Sequence, residues 1–168
     1  MLDRLGLPGT IFVPTAWVDR GGPMAWPDFD RYLATEHAHE LAPLSWEALA
    51  SLADRGWEIG SHTRSHARLT DLDGGALADE LAGSRADCEE RLGRPCTSVA
   101  YPYGTVDRRV VEAAGRAGYR AGAGLPRALH RPRPLDWPRI GVFQGDSFDR
   151  FQKKTSRVRR WAIGRLEP

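Results

Sequence analysis

The stretch that decides the fold is W-E-I-G-S-H-T-R-S-H-A-R-L, at residues 57–69. Its first four residues predict a short buried strand, and two histidines four positions apart follow on the loop that leaves this strand. Imidazole is the commonest protein ligand for a metal ion, and zinc hydrolases typically combine three protein ligands with one open position for water. The segment therefore predicts two ligands of a metal site, His62 and His66.

The spacing of these two histidines is not specific by itself. The chain contains 5 His in 168 residues, and Thr63 occupies the position where the metalloprotease pattern H-E-x-x-H requires a glutamate. A polar loop whose histidines bind no metal explains the spacing equally well. The surrounding sequence has to distinguish the two hypotheses.

Length and composition restrict the class of protein. The chain has 168 residues, of which 41% are hydrophobic and 27% charged, as expected for one globular domain. Its net charge of +2 does not indicate nucleic-acid binding, and no apolar run of about 18 residues predicts a membrane span. No secretory signal is recognised in the first ten residues, so a cytoplasmic location is expected. Cys88 and Cys96 are expected to be reduced and packed.

Strand and helix signals alternate along the chain. Short β-branched and aromatic runs predict strands at residues 10–13, 57–60, 97–101, 119–123 and 136–142. Apolar residues at helical spacing predict helices at 45–56, 75–92 and 110–117, and a basic amphipathic helix from about residue 147. Residues 14–43 are expected to form a long surface loop, of a length that is usually functional or disordered.

This alternation predicts a mainly parallel sheet with helices outside it. In such folds the chemistry lies at the carboxyl ends of the strands. His62 and His66 follow one predicted strand directly, and Tyr103 follows the next. The coincidence favours a functional site over an inert polar loop.

Three segments taken together resemble the polysaccharide deacetylase family, also called the NodB-homology domain or carbohydrate esterase family 4. Residues 44–69 resemble the family's helix and its second motif, H-[ST]-x-x-H. The segment V-A-Y-P-Y-G, at 99–104, resembles the third motif, and D-W-P-R-I-G-V, at 136–142, resembles a strand that carries an arginine. The resemblance implies an α/β fold in a single domain, residues 1–168, built as an incomplete or distorted (β/α) barrel that lacks its first strand.

The resemblance also implies a reaction, the metal-dependent removal of acetyl groups from N- or O-acetylated polysaccharide. In this family an aspartate and two histidines hold a divalent metal, usually zinc, which polarises the carbonyl and lowers the pKa of its bound water. A second aspartate is the general base, and a backbone N–H of the third motif binds the oxyanion. His62 and His66 match the metal ligands, and Tyr103 matches the oxyanion donor.

Four further residues are assigned through the same resemblance. Arg139 is expected to orient a catalytic carboxylate, although a structural arginine is an alternative. Tyr101, Pro102 and Trp137 are expected to line the groove for the glycan. Trp137 is also compatible with a core or rim position, and Tyr103 with a turn tyrosine packed beside Pro102.

The sequence departs from the family at its first motif, T-F-D-D-G, which carries both aspartates and is not found. In the family this motif precedes a helix that leads into the strand matched by residues 10–13. Asp3 falls on that helix and does not replace the motif. No L-x-H motif is found either, and the spacing of His130 does not fit one. We therefore expect an N-terminal truncation with impaired activity, or alternatively an inactive glycan-binding or scaffold homologue. Self-association through an unpaired sheet edge is also expected.

Overall fold

A parallel sheet of five strands forms the centre of the computed structural model, which describes residues 2–125, 133–143 and 145–156, without the side chains of Asp3 and Asp28. The strands are β1 (Thr10–Val13), β2 (Glu58–Ser61), β3 (Ser98–Ala100), β4 (Ala121–Gly124) and β5 (Trp137–Pro138). They lie in the sheet in chain order, each parallel to the next. Across the described residues the sheet stays open, with β1 at one edge and β5 at the other.

Helices connect most of these strands. They are α1 (Asp30–Leu33), α2 (Trp46–Asp54), α3 (Gly74–Ala78), α4 (Ser84–Leu92), α5 (Arg108–Arg116) and α6 (Phe148–Thr155). A π turn, Asp79–Gly83, joins α3 to α4 in one continuous helical segment. Short 3-10 turns lie at Leu2–Leu5, Thr15–Trp17, Pro27–Phe29, Glu36–Leu41, Leu69–Asp71 and Pro102–Gly104.

The ends of the helices follow from local sequence. Ser45 precedes α2, and its hydroxyl accepts a hydrogen bond from the backbone N–H of Ala48 at 3.1 Å. This cap satisfies one of the N–H groups that a helix start leaves without a partner. Gly93 ends α4 with a φ of 63°, in the left-handed region that glycine adopts without steric cost.

The two faces of the sheet differ in character because side chains alternate along each strand. Val13, Ile59 and Val99 point to the face that packs against helices. On the opposite face, Glu58 accepts hydrogen bonds of 2.6 Å from the hydroxyls of Thr10 and Ser98. The helices therefore cover one face of the sheet, and the other carries a polar ladder across three strands.

Two clusters of buried apolar residues hold the helices on the sheet. The larger cluster lies under α3, α4 and α5 and consists of Leu69, Leu77, Leu81, Cys88, Cys96, Val99, Tyr101, Val110, Ala113, Ala114 and Tyr119. The smaller cluster lies under α2 and consists of Val13, Leu49 and Ile59. Trp46 packs against both clusters and connects them. Both cysteines are free and buried, as expected from the sequence.

The structure confirms the predicted α/β class and the order of strands and helices, with two differences. The last strand covers two residues rather than 136–142, although the backbone N–H of Arg139 still donates to the Gly124 carbonyl at 2.9 Å. Residues 14–43 are not an irregular loop throughout, since three 3-10 turns and α1 lie within them.

The C-terminal segment is described only in part. Helix α6 lies within it, whereas residues 157–168 and His130 lie outside the described residues. That residues 1–168 form a single domain stays a prediction, and so does the amphipathic character of the C-terminal segment. Among the described helices, none combines the length and the apolar character that crossing a membrane requires.

Candidate metal and substrate site

The predicted site residues lie on loops at the same edge of the sheet. His62 and His66 follow β2, Tyr103 follows β3, and Arg139 follows β5. Because all strands are parallel, their carboxyl ends meet at this edge. A cavity of about 380 Å³ opens there, lined by His62, Tyr103, Gly104, Leu125, Arg139, Ile140 and Gly141.

The ring of His62 is held in a form that suits a metal ligand. Its Nδ1 lies 2.6 Å from the carbonyl oxygen of Ala100, which can only accept, so Nδ1 carries the proton and Nε2 presents a lone pair. Burial lowers the pKa of His62, although the bond to Ala100 acts in the opposite direction. The nearby charge of Arg139 lowers this pKa further. The imidazole is therefore held neutral, the state in which it binds a metal.

The ring of His66 is enclosed by aromatic side chains. Its centroid lies 4.8 Å from that of His62, with the two planes at 78°. Trp26 stacks on the face of His66 at 4.0 Å and 14°, and Tyr103 makes an edge contact at 4.8 Å. Phe29 packs on Trp26 at 4.6 Å, so a segment within residues 14–43 forms one wall beside the histidines.

Trp26 was not identified from the sequence. The one available signal was the length of the segment that contains it, because long connections in compact domains are often functional. Its residues show no periodicity from which a contact with His66 could have been inferred. Only the fold brings Trp26 onto the histidine ring.

The histidine loop, residues 61–66, has an unusual backbone. Thr63 and His66 both have a φ of 65°, in the left-handed region that non-glycine residues seldom adopt. The loop is tied to the turn after β1, because Thr15 and Ala16 donate backbone hydrogen bonds of 3.0 Å to the carbonyls of Thr63 and Arg64. These bonds fix the loop beside the carboxyl end of β1.

The turn after β3 is equally constrained. Tyr103 has a φ of 58°, and Gly104 follows with 67°. A Cβ added to Gly104 would lie 2.7 Å from the backbone nitrogen of Leu125, which donates a hydrogen bond of 3.0 Å to the Gly104 carbonyl. The guanidinium of Arg68 lies 4.3 Å above the Tyr103 ring. The glycine of Y-P-Y-G thus permits a close contact between two site loops.

Arg139 places a positive charge in the cavity. Its Nη2 donates to the Tyr101 carbonyl at 3.0 Å, while its buried Nε has no hydrogen-bond partner within the described part of the chain. Burial lowers the pKa of this guanidinium, which nonetheless stays charged at neutral pH. A buried arginine with an unsatisfied N–H suits a carboxylate, which can bind it through two oxygens.

Three of the predicted groove residues are not placed in the cavity. Tyr101 is fully buried, and its hydroxyl donates to the Leu135 carbonyl at 2.7 Å, so its side chain belongs to the core beneath the site. Pro102 is also fully buried. Trp137 is 56% exposed on β5 and is not among the residues that line the cavity. The side chains of Tyr101 and Pro102 are thus buried and Trp137 lies off the cavity, and the assignment of these three residues to a glycan groove stays a prediction.

The histidines fit part of a metal site. Two converging imidazoles, one of them with Nε2 available, suit a zinc-like divalent ion. Over the described residues, no group of three His, Cys, Asp or Glu side chains lies together where it could hold a metal ion. The structure thus brings two imidazoles together, which is part of the ligand set that such an ion requires.

Comparison with known proteins gives a consistent result. A family model described as polysaccharide deacetylase matches residues 1–122. YxkH of Bacillus subtilis (strain 168), whose name places it with the polysaccharide deacetylases, is 29% identical over 86 residues. That match covers 51% of this chain but only 30% of the relative.

Solved structures share the fold at low identity. The deacetylase PplD of Streptococcus pyogenes, in complex with acetate, matches with a TM-score of 0.71 and 16% identity, over 92% of this chain and 62% of its own. A de-N-acetylase from Aggregatibacter actinomycetemcomitans matches with a TM-score of 0.71 and 14% identity, over 91% of this chain and 67% of its own. IcaB of Ammonifex degensii has a TM-score of 0.65 and 21% identity, over 96% and 64%. This chain thus spans about two thirds of these relatives or less, and at these identities the likeness shows the fold alone.

Proposed function

The chain belongs to the polysaccharide deacetylase family, and from this premise we propose that it carries the histidine half-site of a metal-dependent deacetylase of N- or O-acetylated polysaccharide. The observation that carries the proposal is the convergence of His62, Tyr103 and Arg139 on one cavity, with His66 packed against the first two. The family resemblance assigns His62 and His66 to the metal and the backbone of Tyr103 to the oxyanion. It assigns Arg139 to the orientation of a carboxylate.

Each residue has a distinct role in the proposed reaction. His62 and His66 would hold a divalent metal, which when bound supplies polarisation of the acetyl carbonyl and a lowered pKa for water. The backbone N–H of Tyr103 would donate a hydrogen bond to the carbonyl oxygen as negative charge develops there. Arg139 would fix the orientation of a carboxylate that accepts a proton from the attacking water.

In the family, that carboxylate comes from the first motif. The sequence holds no T-F-D-D-G motif. Over the described residues, no carboxylate, thiol or third imidazole joins the two histidines. Without a general base, hydrolysis is expected to lose about 10²–10⁴ in rate. We therefore propose that these 168 residues alone have little or no deacetylase activity.

The experiment compares acetate release by two polypeptides. The first is the 168-residue chain, and the second is the same chain preceded by a strand and helix that contain T-F-D-D-G. With N-acetylated chito-oligosaccharide and Zn²⁺, we expect metal-dependent acetate release from the second polypeptide only. His62→Ala and His66→Ala should each abolish this release. Release that survives a chelator, or that survives both substitutions, would contradict the proposal.

The alternative is a glycan-binding homologue without catalytic activity. It is favoured by one observation: a cavity of about 380 Å³ lies beside the histidines, while over residues 2–125, 133–143 and 145–156 no third metal-ligating side chain joins them. It predicts that chito-oligosaccharides bind with equal affinity in the presence and absence of a chelator. Titration calorimetry under both conditions distinguishes the alternatives, because a metal-dependent site would lose affinity when the metal is removed.

A further inference from the structure

We propose that Glu80, on the π turn between α3 and α4, positions the two histidines by holding the loop that carries them. Glu80 is not part of the resemblance described above and does not line the cavity. Its effect on metal binding rests on the proposed function, whereas its effect on the loop does not. The proposal thus concerns a positioning residue that acts through His66.

The carboxylate of Glu80 makes three hydrogen bonds to the histidine loop. Its Oε2 accepts from the backbone N–H groups of Arg64 at 2.8 Å and Ser65 at 3.0 Å. Its Oε1 accepts from the Ser65 hydroxyl at 2.6 Å. Glu80 is only 9% exposed, so these bonds are made largely out of water. All three donors lie between His62 and His66 in the chain.

The loop needs such a partner because its conformation is unfavourable in isolation. Thr63 and His66 both lie in the left-handed region, which is particularly costly for a β-branched residue such as threonine. A conformation of this kind persists only where surrounding contacts determine it. Glu80 binds the two residues between these strained positions and thereby holds both turns.

The two ends of the loop have different anchors. Near His62, the backbone is tied to the β1 side, where His62 donates to the Val13 carbonyl at 2.8 Å. The ring of His62 is fixed independently by Ala100. Nearer His66, Glu80 satisfies the N–H groups of Arg64 and Ser65, while their carbonyls accept from Ala16 at 3.0 Å and from the Trp17 indole at 3.3 Å. Glu80 is thus the partner of this end of the loop that lies on the helical side. Loss of the Glu80 carboxylate should therefore displace His66 relative to His62.

The π turn explains how one helix serves both the core and the site. Leu77 and Leu81 on either side of Glu80 are both in the larger apolar cluster. Ser84 donates to the Glu80 carbonyl at 2.6 Å and accepts from the Ser61 hydroxyl at 2.8 Å, which links the helix backbone to the start of the histidine loop. Helical distortions of this type are frequent at functional sites.

The test uses Glu80→Ala and Glu80→Gln. In Glu80→Ala, we expect the amides of Arg64 and Ser65 to lose their protection from hydrogen exchange, and the affinity for Co²⁺ to fall by about 10–100-fold. Glu80→Gln should remain within a few-fold of the parent. Its amide oxygen can accept from both N–H groups, and its NH₂ can donate to the Ser65 hydroxyl, which then acts as acceptor.

Glu89 provides a matched control on α4. Its Oε1 accepts from the backbone N–H of Cys96 at 3.1 Å and pairs with Arg85 at 2.8 Å, away from the histidine loop. Glu89→Ala should lower the melting temperature but leave Co²⁺ affinity and the exchange of the Arg64 and Ser65 amides unchanged.

Two results would overturn the proposal. One is unchanged exchange of the Arg64 and Ser65 amides in Glu80→Ala, and the other is a Glu80→Gln variant as impaired as Glu80→Ala. If the parent chain binds no Co²⁺, the proposed metal half-site fails. The exchange measurement, made without metal, then decides the role of Glu80 by itself.

Discussion

Backbone strain at individual residues coincides with the site. Among the described residues, four non-glycine residues have a positive φ, and Thr63, His66 and Tyr103 are three of them. Each left-handed residue costs roughly 1–2 kcal/mol relative to ordinary backbone. A fold that needed these loops only as connections could avoid this cost. The concentration of strain in two loops is therefore an argument, independent of family, that their geometry matters.

The first prediction concerns Gly104. Gly104→Ala should destabilise the protein by more than the roughly 1–2 kcal/mol expected for a left-handed alanine, because the new Cβ would also overlap the backbone of Leu125. Gly93→Ala is the matched control, since Gly93 has a similar φ of 63° and nothing within 4 Å of the added Cβ. Urea denaturation of both variants provides the comparison. Equal losses of stability would show that the contact with Leu125 is unimportant.

A second prediction concerns alkaline pH. Burial raises the pKa of both Tyr101 and Tyr119 well above the usual value near 10. The unfolded chain therefore loses these protons before the folded chain does. Their contribution to stability is complete below about pH 10 and declines as the pH rises above it.

Denaturant titrations at increasing pH should reveal this decline, and Tyr119→Phe should reduce its slope. Tyrosinate absorbance should report the ionisation of Tyr101 and Tyr119 only together with loss of structure by circular dichroism. Ionisation of both tyrosines in a chain that retains its native spectrum would refute the prediction.

At the scale of elements, the edge strand β1 is the most exposed to intermolecular pairing. Within the described residues it pairs only with β2, and its sequence T-I-F-V carries no charge. An apolar groove of about 170 Å³ lies beside it, lined in part by Phe12, Met24 and Leu44. Unprotected edges of this kind favour pairing with another chain. We therefore expect the 168-residue chain to self-associate through β1.

Thr10→Lys tests this third prediction. Thr10 is exposed, and a lysine on an edge strand hinders pairing with another chain, so self-association should weaken by at least about tenfold. Ala78→Lys, which adds the same charge at an exposed position of α3, should leave association unchanged. Sedimentation velocity over a range of concentrations gives the dissociation constants. A chain that stays monomeric at every concentration would disprove the prediction.

Elements defined by local chemistry were predictable from the sequence, and those defined by distant contacts were not. Ser45 and Gly93 mark helix ends through the hydrogen bonds and φ angles that their residue types favour. The histidine pair was recognisable because both imidazoles lie in one short loop. The contact between Glu80 and the histidine loop was not recognisable, since a glutamate in a helix is normally a solvent-facing residue. Its burial depends on the π turn and on a loop 15 or 16 positions away.

On the scale of the whole molecule, the candidate site requires the complete sheet. The residues that line the cavity come from loops after β2, β3, β4 and β5, so no single segment contains it. The family match ends at residue 122 and leaves Arg139 outside it, whereas the structural matches extend over about nine tenths of the chain. The fold is thus supported across the sheet, while the assignment of Arg139 rests on the resemblance of residues 136–142 and on its position in the cavity.

The order of the strands also has a consequence for how the chain folds. Thr10 lies opposite Glu58, 48 positions later, whereas Ser98 lies opposite Ala121 at about half that separation. Each doubling of the length of a closed loop costs roughly 0.6 kcal/mol of chain entropy. Pairings between residues close in the sequence generally form sooner for this reason. We expect β3, α5 and β4 to form the folding nucleus. Destabilising substitutions there should slow folding, whereas those in β1 should mainly speed unfolding. The turn after β1, which holds the histidine loop through Thr15 and Ala16, would then dock after the rate-limiting step.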